Sequence, residues 1–364
     1  MLLSRRRMVA LLCAATLAPS RGTPQPAPLD VTFVFTNDIH TCNMETGLSP
    51  GCGQEGKTDA NLLRHIAAIN SVQSRVWPHV IAGAPSGLAG AGQPIAAPRG
   101  VVVGGDMTDD GGGQVALPHE GAQLQQFSRR YRQGAGADRI HVPVFTGLGN
   151  HDLDQDGHPP DVDWYRRELR DYVELSHHST VFREAPAPAT NYDVSTDSYS
   201  WDWDGLHLVQ THRFAGDTRK GAIDSLPWLK ADLAAYAADG RPVILFQHYG
   251  WDAFSSEVWD PKTRTFDDAG DGAPHWWSKA EREAMVAAIA PYNVVALFHG
   301  HQHESALVYR RGPLDLFKPK AAYMGGFAIA RVNNAFLDVV LAEVTGDGGD
   351  FTFTHAFSKP LAAR

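Results

Sequence analysis

Acidic, amide and imidazole side chains recur in five short motifs, each of which follows an apolar run. The motifs are Asp38-Ile39-His40, Gly105-Asp106-Met107-Thr108-Asp109, Gly149-Asn150-His151-Asp152, the single His248, and Gly300-His301-Gln302-His303. Imidazole and oxygen ligands of this kind suit Zn, Fe or Mn. A carboxylate has two oxygens and can bridge two ions held roughly 3.5 to 4 Å apart. These residue types therefore predict a dinuclear metal site.

The charge of such a site indicates its chemistry. Residues two apart in an extended backbone point the same way, so we expect Asp38 and His40 to contact one ion together. Two divalent ions bring four positive charges, of which Asp38 and Asp106 cancel two. The surplus suits a phosphate oxyanion, and the ions acidify a bound water into a nucleophile. The pattern therefore predicts hydrolysis of phosphoric esters.

Predicted strands would carry these motifs. Apolar, β-branched and aromatic runs that read as strands lie at Val31 to Thr36, Val101 to Val103, Val142 to Phe145, Val243 to Phe246 and Val294 to Phe298. Helical patterns separate them, with Thr58 and Ser278 as expected N-caps, and strand-like runs dominate from Ala306 to Phe357. The alternation predicts a mixed α/β architecture. Ligand sites in open α/β sheets lie beyond the carboxyl ends of strands, so the motifs should meet at one edge.

In this order the five motifs resemble the calcineurin-like metallophosphoesterase superfamily. Its pattern is Asp-x-His, Gly-Asp-x-x-Asp, Gly-Asn-His-Asp/Glu, a lone His and Gly-His-x-His, and the resemblance spans Asp38 to His303, 266 of 364 residues. It implies a four-layer αββα sandwich with two mixed β-sheets flanked by helices. It also implies a metal-dependent phosphoric ester hydrolase, either a phosphodiesterase or a phosphomonoesterase, that acts through a metal-activated water.

The resemblance also implies a role for each site residue. A first ion would be held by Asp38, His40, Asp106 and His303. A second would be held by Asp106, Asn150, His248 and His301, with Asp106 bridging the two. The cofactors would be two divalent or mixed-valence transition metal ions, Mn, Fe or Zn. His151 would stabilise the transition state or protonate the leaving oxygen as a general acid, and the carboxylate of Asp109 would orient His151.

Two features depart from the superfamily pattern. The protein Ser/Thr phosphatases of the superfamily carry Arg where this chain has Asp110, and an acid there would repel phosphate. We therefore expect a small-molecule phosphoester substrate rather than a phosphoprotein. The loop after the first motif holds Cys42 and Cys52, which in an oxidising compartment predict a disulfide, with two free thiols as the alternative.

The N-terminus predicts export. Residues 1–18 combine Arg5 to Arg7 with an apolar run from Met8 to Ala18, which is typical of a signal peptide and resembles the twin-arginine type. The mature chain would be periplasmic or secreted. It would keep 29 basic and 41 acidic residues, a net charge of about −12, so we expect no nucleic-acid partner. No other apolar run is long enough for a transmembrane segment, and oligomeric state has no sequence signal.

No linker interrupts residues 30–358, which predicts a single metallophosphoesterase domain. Within it, residues 249–277 are too long for a simple connection and predict a cap loop over the site. Its tryptophans could contact substrate or anchor the core; they are Trp251, Trp259, Trp276 and Trp277. Two other functions remain open, a non-catalytic binding scaffold and a nuclease. A scaffold has no chemical reason to keep the full ligand set with His151, and the acidic balance disfavours a nuclease.

Overall fold

The computed structural model describes residues 28–44, 47–48, 51–109, 122–153, 164–219, 222–252, 259–260, 265–266 and 277–361. The predicted signal peptide at residues 1–18 and most of the predicted cap loop, residues 253–258, 261–264 and 267–276, lie outside this part of the chain. Both therefore stay predictions, as does the single domain over residues 30–358.

The elements alternate between strands and helices through the first two thirds of the chain. The strands are β1 (Asp30–Thr36), β2 (Asn43–Met44), β3 (Gly47–Leu48), β4 (Val80–Ile81), β5 (Ala84–Pro85), β6 (Val101–Val103), β7 (Val144–Thr146), β8 (Asn191–Tyr192), β9 (Tyr199–Trp203), β10 (Leu206–Gln210), β11 (Val243–Phe246), β12 (Trp259–Asp260), β13 (Thr265–Phe266), β14 (Val294–Phe298), β15 (Leu307–Arg311), β16 (Leu314–Lys318), β17 (Gly326–Asn333), β18 (Phe336–Val344) and β19 (Phe351–Pro360). The helices are α1 (Cys52–Glu55), α2 (Asp59–Ser71), α3 (Ala122–Arg130), α4 (Asn150–Leu153), α5 (Trp164–His177), α6 (Leu226–Tyr236) and α7 (Lys279–Ile289).

Two mixed sheets form the centre of the molecule. The first has the order β19-β18-β17-β1-β6-β7, and the second has the order β15-β16-β14-β11-β10-β9-β8. Strands β1, β6 and β7 are parallel to one another, as are β10, β11, β14 and β16, and the remaining strands of each sheet pair antiparallel. The parallel strands form one side of the first sheet and the middle of the second, and each set ends at a common edge.

Four phenylalanines join the two sheets face to face. Phe33 and Phe35 are buried residues two apart on β1, so their rings lie on the same face of the first sheet. Phe33 meets Phe246 of β11 at a centroid distance of 5.7 Å, and Phe35 meets Phe298 of β14 at 5.3 Å. Aromatic pairs at such distances stabilise beyond the area they bury. The strands that precede three of the five motifs are thus fixed against one another.

Helices cover the outer faces. Leu229 and Leu233 of α6 and Met285 and Ile289 of α7 share a buried cluster with Leu245 and other residues of the second sheet. Leu62, Ile66 and Ile69 of α2, with residues of α3 and α5, join the cluster of the first sheet. The predicted architecture, two mixed β-sheets flanked by helices, is confirmed. Among the described residues, no helix has both the length and the apolar character that a membrane span requires.

Local predictions mostly agree with the observed elements. The hydroxyl of Thr58 accepts from Asn61 N at the start of α2, and Ser278 makes a reciprocal capping box with Glu281 at the start of α7. The hairpin of β9 and β10 turns at Asp204 and Gly205, which have φ of 49° and 88°, the left-handed pair that a tight hairpin needs. Residues 78–98 include the two-residue strands β4 and β5, which pair with each other.

Acid should destabilise the fold through His65, a fully buried residue of α2. Its Nε2 donates to Gly326 O at 3.0 Å and its Nδ1 accepts from Tyr131 Oη at 2.9 Å, so the ring is neutral. Burial lowers the pKa of His65 from 6.5 to about 4. The unfolded chain therefore binds the extra proton first, and stability falls as the pH drops from about 6.5 to about 4.

We expect the His65→Gln variant to lose this pH dependence. Between pH 7 and pH 4, its free energy of unfolding should fall less than that of the wild type, by on the order of 3 kcal/mol. Urea unfolding at a series of pH values measures this difference, with chelator present throughout so that metal loss does not contribute. Parallel curves for the two proteins would contradict the prediction.

Candidate metal centre

The two sheets bring the five motifs to one place. They follow the carboxyl ends of β1, β6 and β7 in the first sheet and of β11 and β14 in the second. Backbone hydrogen bonds join neighbouring loops, because Asp38 N donates to Gly105 O at 3.0 Å and His40 N to Asp106 O at 3.0 Å. Across the second sheet, Gly300 N donates to His248 O at 3.0 Å. His301 N donates to Oδ2 of Asp38 at 3.0 Å, which joins the loops of the two sheets at the common edge.

Asp38, His40, Asp106 and His303 form a first group, whose ligand atoms all lie within 4.8 Å of one another. Nε2 of His40 is 3.1 Å from Nε2 of His303 and 3.6 Å from Oδ2 of Asp106. Nε2 of His303 is 3.4 Å from Oδ1 of Asp38. Three of the four side chains are fully buried, and His303 is partly exposed. Two imidazole nitrogens and two carboxylates therefore converge on one point.

A second group shares Asp106 with the first. Ligand atoms of Asp106, His248 and His301 lie within 4.8 Å of one another. Nε2 of His248 is 3.1 Å from Oδ2 of Asp106 and 2.9 Å from Oδ1 of Asn150. The seven predicted metal ligands thus fall into two adjoining groups with Asp106 in common. His303 falls in the first and His301 in the second, the same division that the family resemblance implies.

Four of these ligands have left-handed backbone conformations. Their φ values are 51° for Asp38, 47° for His40, 52° for Asp106 and 75° for His301. Such residues cost free energy and persist only where the surroundings impose them, most often at functional sites. The expectation of an extended Asp38-Ile39-His40 segment is therefore wrong. The two side chains share a group because the backbone turns, held by its bonds to Gly105 and Asp106.

Glycines precede two of the ligands because other side chains approach closely. A Cβ atom at Gly149 would lie 2.1 Å from Oδ1 of Asp106, and one at Gly300 would lie 2.5 Å from Oδ2 of Asp38. Both contacts are far inside van der Waals distance. The glycines of the Gly-Asn-His-Asp and Gly-His-x-His motifs therefore make room for the two buried carboxylates.

A polar contact at the other ring nitrogen orients three of the histidines. Nδ1 of His40 lies 3.1 Å from Oδ1 of Asp109, and Nδ1 of His248 lies 3.2 Å from Gly104 O. Carboxylate and carbonyl oxygens only accept, so both Nδ1 atoms donate and Nε2 is the nitrogen that faces the groups. Nδ1 of His303 lies 3.0 Å from the hydroxyl of Tyr323. Metal-ligating histidines characteristically have such partners.

The protonation states of the metal-free groups suit a cation. Burial lowers the pKa of His40 to about 4 and that of His301 to about 3, which keeps both rings neutral at pH 7. Burial also disfavours charge on His248, but Asp106 and Asp38 outweigh it and raise its pKa to about 9. Burial opposes ionisation of Asp38, yet His303 and His248 hold its pKa at about 2. A divalent ion would replace the His248 proton and take over this compensation.

The position of Asp106, common to both groups, fits the same interpretation. Oδ2 of Asp106 is buried and makes no well-aligned hydrogen bond within the described residues, although imidazole nitrogens of both groups lie within 3.6 Å. A buried carboxylate oxygen is costly to leave in this state. The donor set of imidazole, carboxylate and amide groups fits transition metal ions, so the residues present fit the two ions that the sequence predicts.

His151 lies directly beside the groups, on α4. Its backbone N donates to Oδ1 of Asp106 at 2.9 Å, and its ring meets the His40 ring edge-on at a centroid distance of 4.7 Å. Its Nδ1 donates to the backbone carbonyl of Asp109. The hydrogen bonds of the Asp109 carboxylate go to His40 and to the ammonium of Lys57. An oxygen of that carboxylate also lies within 4.8 Å of a ring nitrogen of His151, and its expected role in orienting His151 stays a prediction.

Three residues outside the predicted site also contribute. Asp152 accepts from Gly149 N at 2.9 Å and from the backbone N atoms of Met107 and Thr108 at 3.1 Å, so it ties the loop after β6 to α4. Burial and the nearby Asp106 raise the pKa of Asp152 to about 6. Its place in the Gly-Asn-His-Asp motif was the available signal. Tyr323 and Lys57 belong to no motif, so the sequence carries no signal for either residue.

Two further predictions have structural outcomes. Cys42 and Cys52 form a disulfide, as expected. Trp251 and Trp277 are each only 1% exposed and pack with ring centroids 4.6 Å apart, so these two anchor the core. The side chains of Trp259 and Trp276, like Asp110, lie outside the described residues.

Comparison with known proteins identifies the family. A sequence model described as calcineurin-like phosphoesterase matches residues 31–305. The chain belongs to the calcineurin-like phosphoesterase family. It is therefore a metal-dependent phosphoric ester hydrolase, and we set the scaffold alternative aside. No curated protein matches the chain significantly.

Solved structures with a similar fold include two phosphatases. A purple acid phosphatase from yellow lupin seeds is 15% identical with a TM-score of 0.54, covering 92% of this chain and 54% of the lupin chain. A dimetal phosphatase from Danio rerio is 14% identical with a TM-score of 0.47, covering 91% of this chain and 99% of that one. At these identities, the likeness to the lupin enzyme concerns the fold alone.

Replacing Asp106 should remove both ions, because this side chain is common to the two groups. We expect the Asp106→Ala variant to retain less than one ion in all after dialysis, when the wild type retains two, as measured by elemental analysis. The matched control is Asp232→Ala, which removes an equally buried carboxylate that contacts His207 and Ser200 away from the site. Two ions still bound to Asp106→Ala would show that this carboxylate does not bridge.

Proposed function

We propose that this chain is an exported dinuclear-metal hydrolase of small phosphoesters. The observation that carries the proposal is the pair of adjoining ligand groups that share Asp106, with His151 hydrogen-bonded to that same carboxylate. Asp38, His40, Asp106 and His303 would hold the first ion. Asp106, Asn150, His248 and His301 would hold the second. When bound, two such ions supply the charge that stabilises phosphoryl oxygens and acidifies water at neutral pH.

Mn, Fe or Zn is the metal class that we propose. The groups offer imidazole nitrogens together with carboxylate and amide oxygens, whereas Ca and Mg prefer all-oxygen sites. The nearby cysteines are bonded to each other and are not thiolate ligands. Buried, neutral imidazoles need not lose a proton to bind, which favours transition metals at neutral pH.

His151 is the residue that we propose as general acid. Nδ1 carries the proton that it donates to Asp109 O, so Nε2 is the nitrogen that would deliver a proton to the leaving oxygen. The backbone bond to Asp106 fixes the residue beside both groups. General acids of this kind typically contribute a factor of 10² to 10⁴ to the rate, and most where the leaving group is poor.

Charge and the disulfide support the substrate class and the compartment. The net charge of about −12 expected after signal cleavage disfavours polyanionic nucleic acids, which bind to basic surfaces. A disulfide is typical of oxidising compartments, and the pair at Cys42 and Cys52 agrees with the predicted signal at residues 1–18. The buried positions of Trp251 and Trp277 remove two candidates for an apolar substrate wall. The proposal therefore covers monoesters and diesters alike.

The test is a comparison of p-nitrophenyl phosphate with bis-p-nitrophenyl phosphate, using purified mature protein supplied with Mn, Fe or Zn. We expect metal-dependent turnover of at least one substrate, and the faster one defines the ester class. The same preparation should show no metal-dependent cleavage of DNA at moderate salt. The proposal would be contradicted if the protein, with two ions confirmed bound, hydrolysed neither ester. It would also be contradicted if the protein cleaved DNA at moderate salt.

The His151→Ala variant tests the proposed acid with a series of aryl and alkyl esters of the preferred class. We expect it to keep both ions and to lose activity least on p-nitrophenyl esters, whose leaving group needs little protonation. On alkyl esters the loss should reach about 10² to 10⁴ in kcat. The control is His141→Ala, at an exposed histidine that belongs to neither ligand group. Equal losses across all leaving groups would rule out the general-acid role.

A further inference from the structure

The disulfide lies next to the first group, through Asp109. Sγ of Cys52 is 3.3 Å from Oδ2 of Asp109, and Oδ1 of the same carboxylate is 3.1 Å from Nδ1 of His40. Cys42 comes two residues after His40 in the chain. The disulfide therefore connects the strand exit that carries His40 to helix α1, which begins at Cys52.

Lys57, which follows helix α1, contacts the carboxylate of Asp109. Lys57 N donates to Cys52 O at 2.8 Å, which fixes this residue two positions after the end of the helix. Its ammonium donates to Oδ1 of Asp109 at 2.6 Å and lies 2.7 Å from Oε2 of Glu55. The Lys57 side chain is only 8% exposed and that of Asp109 14%. The pair is therefore largely shielded from solvent, unlike surface ion pairs of little energetic consequence.

The rest of Asp109 is held by its backbone. Asp109 N donates to Thr41 O at 3.1 Å and to Oε1 of Gln123 at 3.0 Å, and its carbonyl accepts from His151. These bonds locate the residue but leave the carboxylate torsion undetermined. Lys57 and His40 contact the same oxygen, so the ammonium selects the orientation in which Oδ1 meets the imidazole.

Lys57 also balances charge. Asp38 and Asp106 lie in the first group. Asp109 adds a third carboxylate nearby, because it contacts the group member His40. An unbalanced third charge would cancel part of the positive surplus that a phosphate needs. The ammonium of Lys57, which also contacts Glu55, offsets part of this charge while keeping the carboxylate in place. A carboxylate held in this orientation directs the imidazole that it contacts towards the ion.

We propose that Lys57 is a positioning residue for the first metal ion: its ammonium, placed by the Cys42–Cys52 disulfide, orients the Asp109 carboxylate against Nδ1 of His40. The inference rests on the proposed function, because it concerns an ion in the first group. It assigns a purpose to the cysteine loop that follows the first motif. The second group, which does not contain His40, should not depend on Lys57.

Calorimetric titration of the metal-free protein with Mn²⁺ measures the affinities of the two metal sites separately. For Lys57→Met we expect one site to weaken by about tenfold to a hundredfold and the other to keep its wild-type affinity. Lys57→Arg restores the charge and should recover part of the loss. The double variant Cys42→Ala/Cys52→Ala should weaken the same site. Cysteine replacement is preferable to a reducing agent, because thiol reductants bind metals themselves.

The matched control is Lys320→Met, which breaks the Lys320–Glu343 ion pair at 2.9 Å, whose two residues belong to neither ligand group. It should bind both ions as the wild type does. Thermal unfolding of each metal-free variant separates a positioning effect from a loss of fold. If Lys57→Met does not fold, Asp109→Asn provides the same test from the other side of the ion pair.

Equal Mn²⁺ affinities in Lys57→Met and the wild type would overturn the inference alone. So would equal weakening of both sites without rescue by Lys57→Arg, because that pattern reflects a general structural defect. A wild-type protein that binds no Mn²⁺, Fe or Zn would instead overturn the proposed function, and this inference with it.

Discussion

Two carboxylates, Asp38 and Asp106, are buried together at the edge where the two sheets meet, and the rest of the site depends on how their charge is compensated. Buried carboxylates are costly unless they are paired. In the metal-free protein His248 and His303 supply part of the compensation, and His248 does so by keeping a proton. Divalent ions would compensate more fully, and every ligand group around the pair is placed to hold them. Metal binding and the stability of this edge are therefore coupled.

The scaffold under the site is rigid enough to impose that arrangement. Phe33, Phe35, Phe246 and Phe298 fix the strands that lead into three of the five motifs. Beyond the strand ends, the backbone is strained at Asp38, His40, Asp106 and His301, and the loops hold this strain with mutual hydrogen bonds. Gly149 and Gly300 leave room for the carboxylates of Asp106 and Asp38, which a Cβ atom at either glycine would contact too closely. The packing of the sheets thus sustains conformations that the loops alone would not adopt.

Much of this could be predicted from the sequence, for identifiable reasons. Apolar runs mark the strands because the central strands are buried on both faces, as in Val243–Phe246. The motifs mark the ligands because few residue types bind metals. The prediction of an extended Asp38-Ile39-His40 segment was wrong because hydrogen bonds to the loop after β6 set the φ angles of Asp38 and His40. The sequence does not tell that the carbonyl of Asp109 contacts Nδ1 of His151. Lys57 and Tyr323 were missed because contacts between distant segments leave no local pattern.

The central claim is that two metal ions share the Asp106 carboxylate. The most direct measurement is anomalous diffraction from crystals of the mature protein, collected on both sides of the absorption edge of the bound metal. The account predicts two anomalous peaks roughly 3.5 to 4 Å apart, one beside His40 and His303 and the other beside His248 and His301, with Asp106 between them. A single peak, or two peaks that do not share Asp106, would contradict it.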